Sequence, residues 1–371
     1  MTTTISFEKL GLSSLQLKTL AKLAFTEATP VQSETIPLLI KKPQDIMVQA
    51  QTGTGKTAAF SLPILHHTDV EQKAIQSIVL VPTRELAIQV QQEIVKLKGD
   101  TPIKSCAIYG GQNIGIQIKK LKKGIHIVVG TPGRIIDHLQ RKTLNLESIR
   151  SLVLDEADEM LNMGFIEPIE TIMAATNKSR NTQLFSATMP KRILQLAKKY
   201  MVNPKHIHTQ TEHKTLKNIE QSYYCSKGSV KSIILQKIIE KNPEFHGIVF
   251  CETKRGVDDL AARLNKKSIS ADVIHGDIHQ RKRERVTARF KAKNFHVLIA
   301  TDVAARGVHV DNLTHVINYD LPKNPEIYTH RIGRTGRAGN KGTAISLITP
   351  AQKGALNFIA KKTKAEIRKA D

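Results

Sequence analysis

The segment Ala50-Gln-Thr-Gly-Thr-Gly-Lys-Thr57 has the residue types and spacing of a loop that binds phosphate. Glycines at 53 and 55 let backbone N–H groups turn inward around phosphate oxygens, and the helical stretch that follows adds its positive end. Lys56 would reach the β and γ phosphates, and the Thr57 hydroxyl would bind Mg²⁺. The general motif has glycine where this chain has Ala50, so the motif taken alone could also be a simple glycine-rich turn.

An acidic cluster, Asp155-Glu-Ala-Asp158, follows the apolar run Leu152-Val-Leu154. A carboxylate at the end of a buried strand is costly unless it meets a cation, so Asp155 is expected to bind the metal. Glu156 is expected to act as the base for a water molecule. Alone, the cluster could equally cap a helix. Downstream of a phosphate loop that supplies phosphate and Mg²⁺, the metal and base interpretation is favoured.

Apolar runs that alternate with helical stretches predict the elements that position these residues. The pattern is typical of parallel α/β sheets, whose buried strands are continuous apolar runs. The clearer runs are 78–81, 125–129, 152–154, 183–185, 247–250, 297–299 and 315–317. Open sheets of this kind bind ligands at the carboxyl ends of their strands, so the functional residues should follow the strands. The rhythm fails around 201–229, which predicts domains at 1–208 and 219–371 joined by a linker at 209–218.

The balance of charge restricts the partners. The chain has 371 residues, with 56 Lys and Arg against 33 Asp and Glu, a net charge of +23. This excess attracts polyanions, and the candidates are nucleic acid, an anionic membrane surface or an acidic protein. No stretch reaches the roughly 18 apolar residues of a membrane helix, and no targeting pattern or basic amphipathic anchor stands out. We therefore expect a cytoplasmic protein without a membrane partner.

Cysteines and histidines give little sign of a metal or redox site. Cys106, Cys225 and Cys251 are far apart, and we expect reduced, buried thiols. Two histidine pairs lack further ligands at suitable spacing, which disfavours zinc. These pairs are His66 with His67 and His206 with His208.

With its remaining motifs, the chain resembles the DEAD-box family of ATP-dependent RNA helicases from Phe7 to Gly342. These motifs are Pro82-Thr-Arg-Glu-Leu86, Gly110-Gly111, Thr131-Pro-Gly-Arg134, Ser186-Ala-Thr188, Ala300-Thr-Asp302 through Arg306-Gly307, and His330-Arg-Ile-Gly-Arg-Thr-Gly-Arg337. The resemblance implies two RecA-like α/β domains, each a mostly parallel sheet flanked by helices, joined by a short linker. It also implies ATP and Mg²⁺ as cofactors.

The resemblance assigns the residues of the ATP site. It implies catalytic roles for Lys56, Asp155, Glu156, Arg334 and Arg337, with both arginines stabilising charge on the γ phosphate. The implied nucleotide-binding residues are Phe7, Phe25, Gln32, Gln51, Thr52, Gly53, Thr54, Gly55, Lys56, Thr57 and Gly307, with Thr57 and Asp155 at the metal. A glutamine amide can pair with adenine N6 and N7, so Gln32 implies ATP rather than GTP. Ala24 and Ala28 replace the family's usual Gly and Pro, which predicts a slightly different loop shape.

The resemblance also assigns residues to RNA binding and to coupling between the domains. The implied RNA-binding residues are Pro82, Thr83, Arg84, Gly110, Gly111, Thr131, Arg134, Arg255, Gly276, Arg283 and Thr301. Short polar side chains, arginines and glycines suit phosphates and ribose hydroxyls, which predicts binding independent of sequence. The implied coupling residues are Asp158, Ser186, Thr188, Asp302 and His330. Ser186 and Thr188 could instead form an ordinary helix cap, and the lysines of 119–123 could extend the RNA track or form a solvated helix face.

The fifth motif departs from the family pattern, since Arg306-Gly-Val-His309 stands where Arg-Gly-Ile-Asp is usual. His309 has no fixed negative charge, which predicts weaker ATP affinity or weaker RNA-coupled closure.

Three functions are compatible with these motifs. The favoured one is an RNA helicase whose RNA-stimulated ATP hydrolysis drives local unwinding of short duplexes or remodelling of ribonucleoproteins. The alternative is an ATP-gated RNA clamp, or assembly scaffold, with little unwinding activity. A DNA translocase is disfavoured, because the motifs together resemble the RNA branch.

We expect a monomer. A ribonucleoprotein or ribosomal client is compatible with the sequence, but the sequence does not identify the RNA.

Overall fold

The computed structural model describes residues 5–51, 53–209, 218–305, 313–336 and 341–370. The chain divides between residues 211 and 212 into two compact units. Residues 210–217 of the predicted linker lie outside the described residues, so the limits of that linker stay a prediction.

The first unit contains nine strands and nine helices among its described residues. The strands are β1 (Ile5–Ser6), β2 (Glu27–Ala28), β3 (Ile46–Gln49), β4 (Ser77–Leu80), β5 (Ser105–Ile108), β6 (Ile127–Gly130), β7 (Ser151–Leu154), β8 (Asn181–Ser186) and β9 (Lys205–His208). The helices are α1 (Ser14–Lys22), α2 (Pro30–Lys41), α3 (Lys56–His67), α4 (Arg84–Leu97), α5 (Ile114–Leu121), α6 (Pro132–Gln140), α7 (Ala157–Asn162), α8 (Ile166–Ala174) and α9 (Lys191–Tyr200). A 3₁₀ turn at Phe7–Leu10 follows β1, which pairs antiparallel with β2.

The main sheet of the first unit has seven strands in the order β5-β6-β4-β7-β8-β3-β9. Every neighbouring pair is parallel. Side chains alternate between its faces, so Val79 and Val153 enter one hydrophobic core while Ile78 and Leu152 enter the other. Helices cover both faces, which is why these strands are continuous apolar runs.

The second unit repeats this architecture. Its strands are β10 (Ile219–Cys225), β11 (Gly247–Phe250), β12 (Ala271–Ile274), β13 (Val297–Ala300), β14 (His315–Asn318), β15 (Gly342–Ile348) and β16 (Arg368–Lys369). Its helices are α10 (Lys231–Glu240), α11 (Lys254–Asn265), α12 (Gln280–Lys291), α13 (Asp302–Ala305), α14 (Pro325–Ile332) and α15 (Lys353–Thr363). The strand order is β12-β13-β11-β14-β15-β10-β16, again with parallel neighbours. The predicted α/β class with two mostly parallel sheets is therefore confirmed.

Local sequence signals account for several helix starts. Thr83 caps α4 by accepting the N–H of Leu86 on its hydroxyl at 3.3 Å. Asn324 caps α14 by accepting the N–H of Ile327 at 2.9 Å, and proline follows it at the first helical position. Both helices begin directly behind a strand or a short loop, so their first residues lie near the carboxyl edge of a sheet.

The prediction of three buried cysteines is wrong for Cys225. Cys106 and Cys251 are buried, whereas Cys225 is exposed. Cys225 ends β10, and the outer strand β16 pairs only with Ser222 and Tyr223 of that strand, so it does not extend to the cysteine. None of the helices within the described residues is long and apolar enough to cross a membrane.

Candidate functional site

Six sequence-predicted segments lie at one edge of the first sheet. Because its strands are parallel, the residues that follow β3, β4, β5, β6, β7 and β8 all emerge at the same edge. They are 50–57, 82–84, 110–111, 131–134, 155–158 and 186–188. The topology therefore collects the candidate phosphate, metal and RNA residues of this unit at a single edge.

The phosphate loop turns tightly between β3 and α3. Gly53 and Gly55 have φ values of +79° and +88°, in the left-handed region that favours glycine. The Thr54 hydroxyl donates to the carbonyl of Gln51 at 2.8 Å. Buried Lys56 begins α3, and its Nζ donates to the carbonyl of Ala50 at 3.0 Å, which spans the loop. Thr52 lies outside the described residues.

Gln32 connects the N-terminal motif with the phosphate loop. Its Nε2 donates to the carbonyl of Gly55 at 3.1 Å, and its Oε1 accepts the N–H of Thr29 at 2.9 Å. A Cβ on residue 55 would collide with Gln32 Nε2, so both the backbone and this contact require glycine there. An amide has two N–H donors and two acceptor lone pairs, so one of each remains for a base.

Phe7 and Phe25 form a stacked pair with ring centroids 6.3 Å apart and an interplanar angle of 23°. Phe7 is only 4% exposed and belongs to the hydrophobic core. Phe25 is half-buried and offers the more accessible ring. Of the two aromatic residues that the resemblance assigns to the nucleotide, Phe25 therefore has the more accessible surface, and Phe7 packs behind it. Both assignments stay predictions.

Ala24 directs the chain from α1 into Phe25. Its φ of +58° is left-handed, which is strained for alanine. The N–H of Ala24 donates to the carbonyl of Ala21 at 3.0 Å, and that of Phe25 donates to the carbonyl of Leu20 at 2.9 Å. These two bonds form the helix-ending motif that usually has glycine at this position. The helix-ending turn is therefore regular, and the effect of alanine in place of glycine is strain in the backbone of residue 24.

Asp155 and Glu156 follow β7. Asp155 is 3% exposed, and its Oδ1 accepts the N–H of Glu156 at 3.0 Å. Burial raises the pKa of the Asp155 carboxyl, while the nearby positive charge of Lys56 opposes the rise. Glu156 has a φ of +52°, a strained conformation for a non-glycine residue of the kind found at functional sites. The phosphate loop and the acidic cluster are thus electrostatic neighbours.

Asp158 binds the Ser186–Thr188 segment directly. Its Oδ2 accepts the N–H of Thr188 at 2.9 Å and the Thr188 hydroxyl at 2.8 Å. The N–H of Asp158 donates to the Ser186 hydroxyl at 3.2 Å, and that hydroxyl donates to the Thr188 carbonyl at 2.7 Å. Neither side chain caps α9, which is preceded by Pro190 and has no side-chain cap. Ser186 instead accepts an N–H from the first turn of α7.

Gln117 joins two candidate RNA segments, and we call its hydrogen-bonded surroundings the Gln117 network. Its Nε2 donates to the carbonyl of Tyr109 at 2.9 Å and to Gln112 Oε1 at 3.1 Å. Its Oε1 accepts from Arg134 Nη1 at 3.4 Å and from His138 Nε2 at 3.0 Å. Gln117 is fully buried, and all four hydrogen-bonding positions of its amide are used.

The same corner brings together the other candidate RNA residues of the first unit. Arg84 lies over Gly110, where a Cβ would stand 3.3 Å from Arg84 Nη2. The N–H of Thr131 donates to the carbonyl of Ile108 at 3.0 Å. Since β5, β6 and β4 are adjacent, one corner contains Pro82, Thr83, Arg84, Gly110, Gly111, Thr131 and Arg134.

The second sheet has a corresponding corner at the ends of the adjacent strands β12, β13 and β11. Lys254 pairs with Asp277 at 2.5 Å beside Gly276. Arg283 Nη2 donates to the carbonyl of Ala304 at 3.3 Å, near Thr301 at the end of β13. Arg255 is exposed on the first turn of α11. The four residues predicted to contact RNA in this unit, Arg255, Gly276, Arg283 and Thr301, lie at this corner.

Asp302 forms an ion pair inside the second unit that sequence reasoning missed. Arg331 binds it with two bonds, Nε to Oδ1 at 2.6 Å and Nη2 to Oδ2 at 2.8 Å. Buried Arg331 also donates to Asn318 Oδ1 at 3.0 Å and lies 4.9 Å from the Phe250 ring centroid. The sequence points to Arg331 only through its position between His330 and Arg334 in the last motif.

The remaining predicted residues of the second unit are described only in part. His330 lies near the end of α14, and Arg334 lies in the turn after it; both are half-buried. Gly307, His309 and Arg337 fall outside the described residues. Their predicted roles stay predictions.

Comparison with known proteins matches both units. The family model "DEAD/DEAH box helicase" matches residues 29–196, and the model "Helicase conserved C-terminal domain" matches residues 230–339. The DEAD-box ATP-dependent RNA helicase CshA of Bacillus cereus is 49% identical over 367 residues, which cover 99% of this chain and 70% of that protein.

Solved structures show the same similarity. A DEAD box protein from Methanococcus jannaschii is 47% identical, with 99% of this chain and 100% of that chain covered and a TM-score of 0.57. The Saccharomyces cerevisiae protein Dbp5 bound to RNA and ADP BeF3 is 32% identical, with 98% and 95% covered and a TM-score of 0.89. The likeness therefore extends over both units.

Proposed function

Because the chain belongs to the DEAD-box family of ATP-dependent RNA helicases, we propose that its two sheet edges couple ATP hydrolysis to local separation of short RNA duplexes or remodelling of ribonucleoproteins. The protein is an ATP-dependent RNA helicase and hydrolyses ATP to ADP and phosphate. We assign domains to 1–208 and 219–371 with a linker at 209–218. We assign the activity to the cytoplasm and to a monomer that acts on single-stranded or short duplex RNA.

We assign the phosphates to the loop at 50–57. Its two left-handed glycines orient backbone N–H groups, and the ammonium of Lys56 binds the β and γ phosphates in exchange for the Ala50 carbonyl. The residues fit Mg²⁺, because the buried Asp155 carboxylate and the Thr57 hydroxyl at the start of α3 are hard oxygen ligands. When bound, Mg²⁺ neutralises charge that develops on the phosphates.

We assign Glu156 to the attacking water. Its left-handed backbone turns the chain sharply between β7 and α7. A carboxylate fixed in this way can orient a water molecule for in-line attack on the γ phosphate. Arg334 and Arg337 of the second domain supply positive charge to the transition state.

We assign base recognition to Gln32 and Phe25. Gln32 keeps one N–H and one lone pair for the adenine edge, and it is fixed by Thr29 and Gly55. Phe25 offers the accessible ring, supported from below by Phe7. This arrangement supports ATP as the nucleotide.

We assign RNA binding to the two corners built by arginines, glycines and threonines. Such groups suit phosphate and ribose oxygens and carry little base information, so the binding is independent of sequence. Dbp5, a structural neighbour, is bound to RNA in its solved structure. Asp158, Ser186 and Thr188 then link the ATP residues to this surface, with Asp302 and His330 in the second domain.

One observation carries the proposal: Lys56, Asp155, Asp158 and the Arg84–Gly110 contact lie at one edge of a single sheet. Strand separation of a short labelled RNA duplex tests it. The wild-type protein should separate the duplex only with ATP, and Arg134→Ala should weaken separation while ATP hydrolysis without RNA is unchanged. ATP-dependent binding to RNA without any strand separation would favour the clamp alternative.

A further inference from the structure

The first sheet has an open edge at β5. This strand pairs only with β6, and it is the outermost strand of the sheet. The carbonyls of Lys104 and Ile108 accept hydrogen bonds from the chain on the β6 side. Because backbone groups alternate along a strand, those of Ala107 point away from β6. Ala107 is half-buried, and it is the outward-facing residue of β5 at which an added strand would pair, since the Ser105 carbonyl and hydroxyl accept from Gln91 Nε2.

A cleft of about 550 Å³ lies along this edge, and we call it the edge cleft. Its walls come from α4, β5 and the connection between them, and from the end of α5 with the segment that joins it to β6. The apolar part of the lining consists of Ile88, Val95, Pro102, Ile103, Cys106, Ala107 and Ile125, together with the ring of Tyr109. Val95 is 42% exposed although it is a large aliphatic residue. The edge cleft therefore offers apolar contact beside an unpaired strand.

Four lysines surround this apolar lining: Lys98, Lys104, Lys120 and Lys123. No Asp or Glu occurs among the described residues that line the edge cleft. Lys98 Nζ donates to the carbonyl of Thr101 at 2.6 Å, and Lys104 Nζ donates to the carbonyl of Lys123 at 3.1 Å. These partners are neutral carbonyls, and the ion pairs of the described part of the chain include none of the four lysines. The cleft is therefore strongly positive.

We propose that the edge cleft binds an extended acidic segment of a partner protein, which adds as a strand beside β5. Main-chain hydrogen bonds to Ala107 would supply pairing, and alternate side chains of the segment would face the apolar lining. Its carboxylates would meet the four lysines, which are placed for charge complementarity. The edge cleft is proposed to bind a protein segment, whereas the corner is assigned to RNA. The proposal therefore goes beyond the helicase function.

RNA fits the edge cleft less well than such a peptide. Phosphates would use the lysines but would leave the aliphatic lining and the strand edge without partners. Bases need aromatic rings on which to stack, and Tyr109, nearly buried, is the one aromatic residue among those described as lining the cleft. The combination of open strand, aliphatic lining and lysines therefore favours a protein segment.

Fluorescence anisotropy with a labelled short peptide that alternates glutamate and valine tests the proposal on the full chain. The wild-type protein should bind it, and a peptide that alternates lysine and valine should not bind. The double variant Lys120→Glu with Lys123→Glu should weaken binding by about tenfold or more. The matched double variant Lys266→Glu with Lys267→Glu, at exposed positions of the second unit, should bind the glutamate peptide like wild type.

Ala107→Pro tests the strand pairing itself. Its N–H points away from β6, so proline removes a donor for the added strand without removing a bond to β6. Binding should fall with this variant, provided that circular dichroism shows the wild-type fold; the lysine variant decides the matter if it does not. Absence of peptide binding to the wild-type protein, or equal binding by the lysine variant, would overturn the proposal.

Stimulation of ATP hydrolysis by single-stranded RNA tests whether the lysines of the edge cleft bind RNA instead of a peptide. The double variant Lys120→Glu with Lys123→Glu should reach half-maximal stimulation at the same RNA concentration as the wild-type protein. A requirement raised by the substitutions, without loss of peptide binding, would assign the lysines to RNA and overturn the proposal. The helicase function would stand in either case.

Discussion

The side chain of Gln32 lies against Gly55, so the residue assigned to the base contacts the loop assigned to the phosphates. The hydrogen bond from Gln32 Nε2 to the Gly55 carbonyl measures 3.1 Å. A change at either residue should therefore affect both base recognition and loop geometry. This contact also explains why residue 55 tolerates no side chain.

Gly55→Ala should raise the KM for ATP more than Gly53→Ala does. Both positions are left-handed, so alanine adds about 1–2 kcal/mol of backbone strain at either one. Only the alanine at 55 collides with Gln32, since a Cβ at 53 meets nothing within 4 Å. We expect a further increase of about tenfold at 55, measured by steady-state hydrolysis. Equal KM values for the two variants would contradict the role of the contact.

Ala24→Gly should stabilise the first unit. Glycine removes left-handed strain of about 1–2 kcal/mol but adds unfolded-chain entropy of about 0.4–1 kcal/mol. The expected net gain is between about 0 and 1.6 kcal/mol in the free energy of unfolding, measured with urea. Ala21→Gly, an exposed change inside α1, should instead destabilise by about 1 kcal/mol. A loss at both positions would show that Ala24 carries no strain.

Thr188→Val should weaken the link between Asp158 and the end of β8. The valine keeps the shape but removes the hydroxyl that donates to Asp158 Oδ2 at 2.8 Å. Because a buried carboxylate loses a donor, the expected destabilisation is about 1–3 kcal/mol. Duplex separation should also fall, while Thr188→Ser should retain both properties. Unwinding that is unchanged in the valine variant would remove Thr188 from the coupling assignment.

Gln117→Leu should weaken RNA binding without changing the ATP site. Leucine breaks all four bonds of the Gln117 amide, so Arg134 keeps only its bond to the Gln112 carbonyl and its ion pair with Asp137, and the Tyr109–Gln112 turn loses its brace. The RNA concentration for half-maximal ATPase stimulation should rise about tenfold, with the KM for ATP unchanged. Arg134→Ala is the comparison variant. If Arg134→Ala weakens RNA binding and Gln117→Leu does not, the network has no positioning role.

Acid should destabilise the second unit through His246. Burial, with help from the positive charges of Lys293 and His296, lowers the pKa of His246 to about 4. The unfolded chain, in which the histidine has its ordinary pKa of about 6.5, binds the proton first, so stability is present above about 6.5 and is lost as the pH falls towards about 4.

Urea unfolding followed as a function of pH measures this loss. His246→Phe should flatten the profile between those values, because the ring packs against Phe290 with centroids 4.3 Å apart and phenylalanine retains that contact. His206→Gln, at an exposed position, should leave the profile as it is. A profile that keeps its slope in the His246 variant would assign the acid sensitivity to other groups.

Sequence reasoning predicted where the candidate residues lie in the fold, because most of them closely follow a strand of a parallel sheet. The loop at 50–57, Asp155 and the Ser186–Thr188 segment all lie at the expected edge. Strands with continuous apolar runs, such as β4 and β11, were also predictable. Short or mixed strands such as β5, β9 and β16 were not, since their polar residues carry no strand periodicity.

The supporting contacts were not predictable, because they join residues that are distant in sequence. Nothing local shows that Arg331 pairs with Asp302, or that Gln117 holds Arg134. The difference in burial between Phe7 and Phe25 has the same origin, since only tertiary packing decides which ring is buried. Such contacts depend on which strands become neighbours in the sheet.

Steady-state ATP hydrolysis with single-stranded RNA, with single-stranded DNA and without nucleic acid tests the central claim most directly. RNA should stimulate the wild-type protein strongly and DNA should not, and the stimulation should weaken as salt rises, because phosphate contacts dominate binding. Glu156→Gln should bind ATP normally and lose hydrolysis by orders of magnitude. Equal stimulation by DNA, or near-normal turnover in the Glu156 variant, would contradict the account.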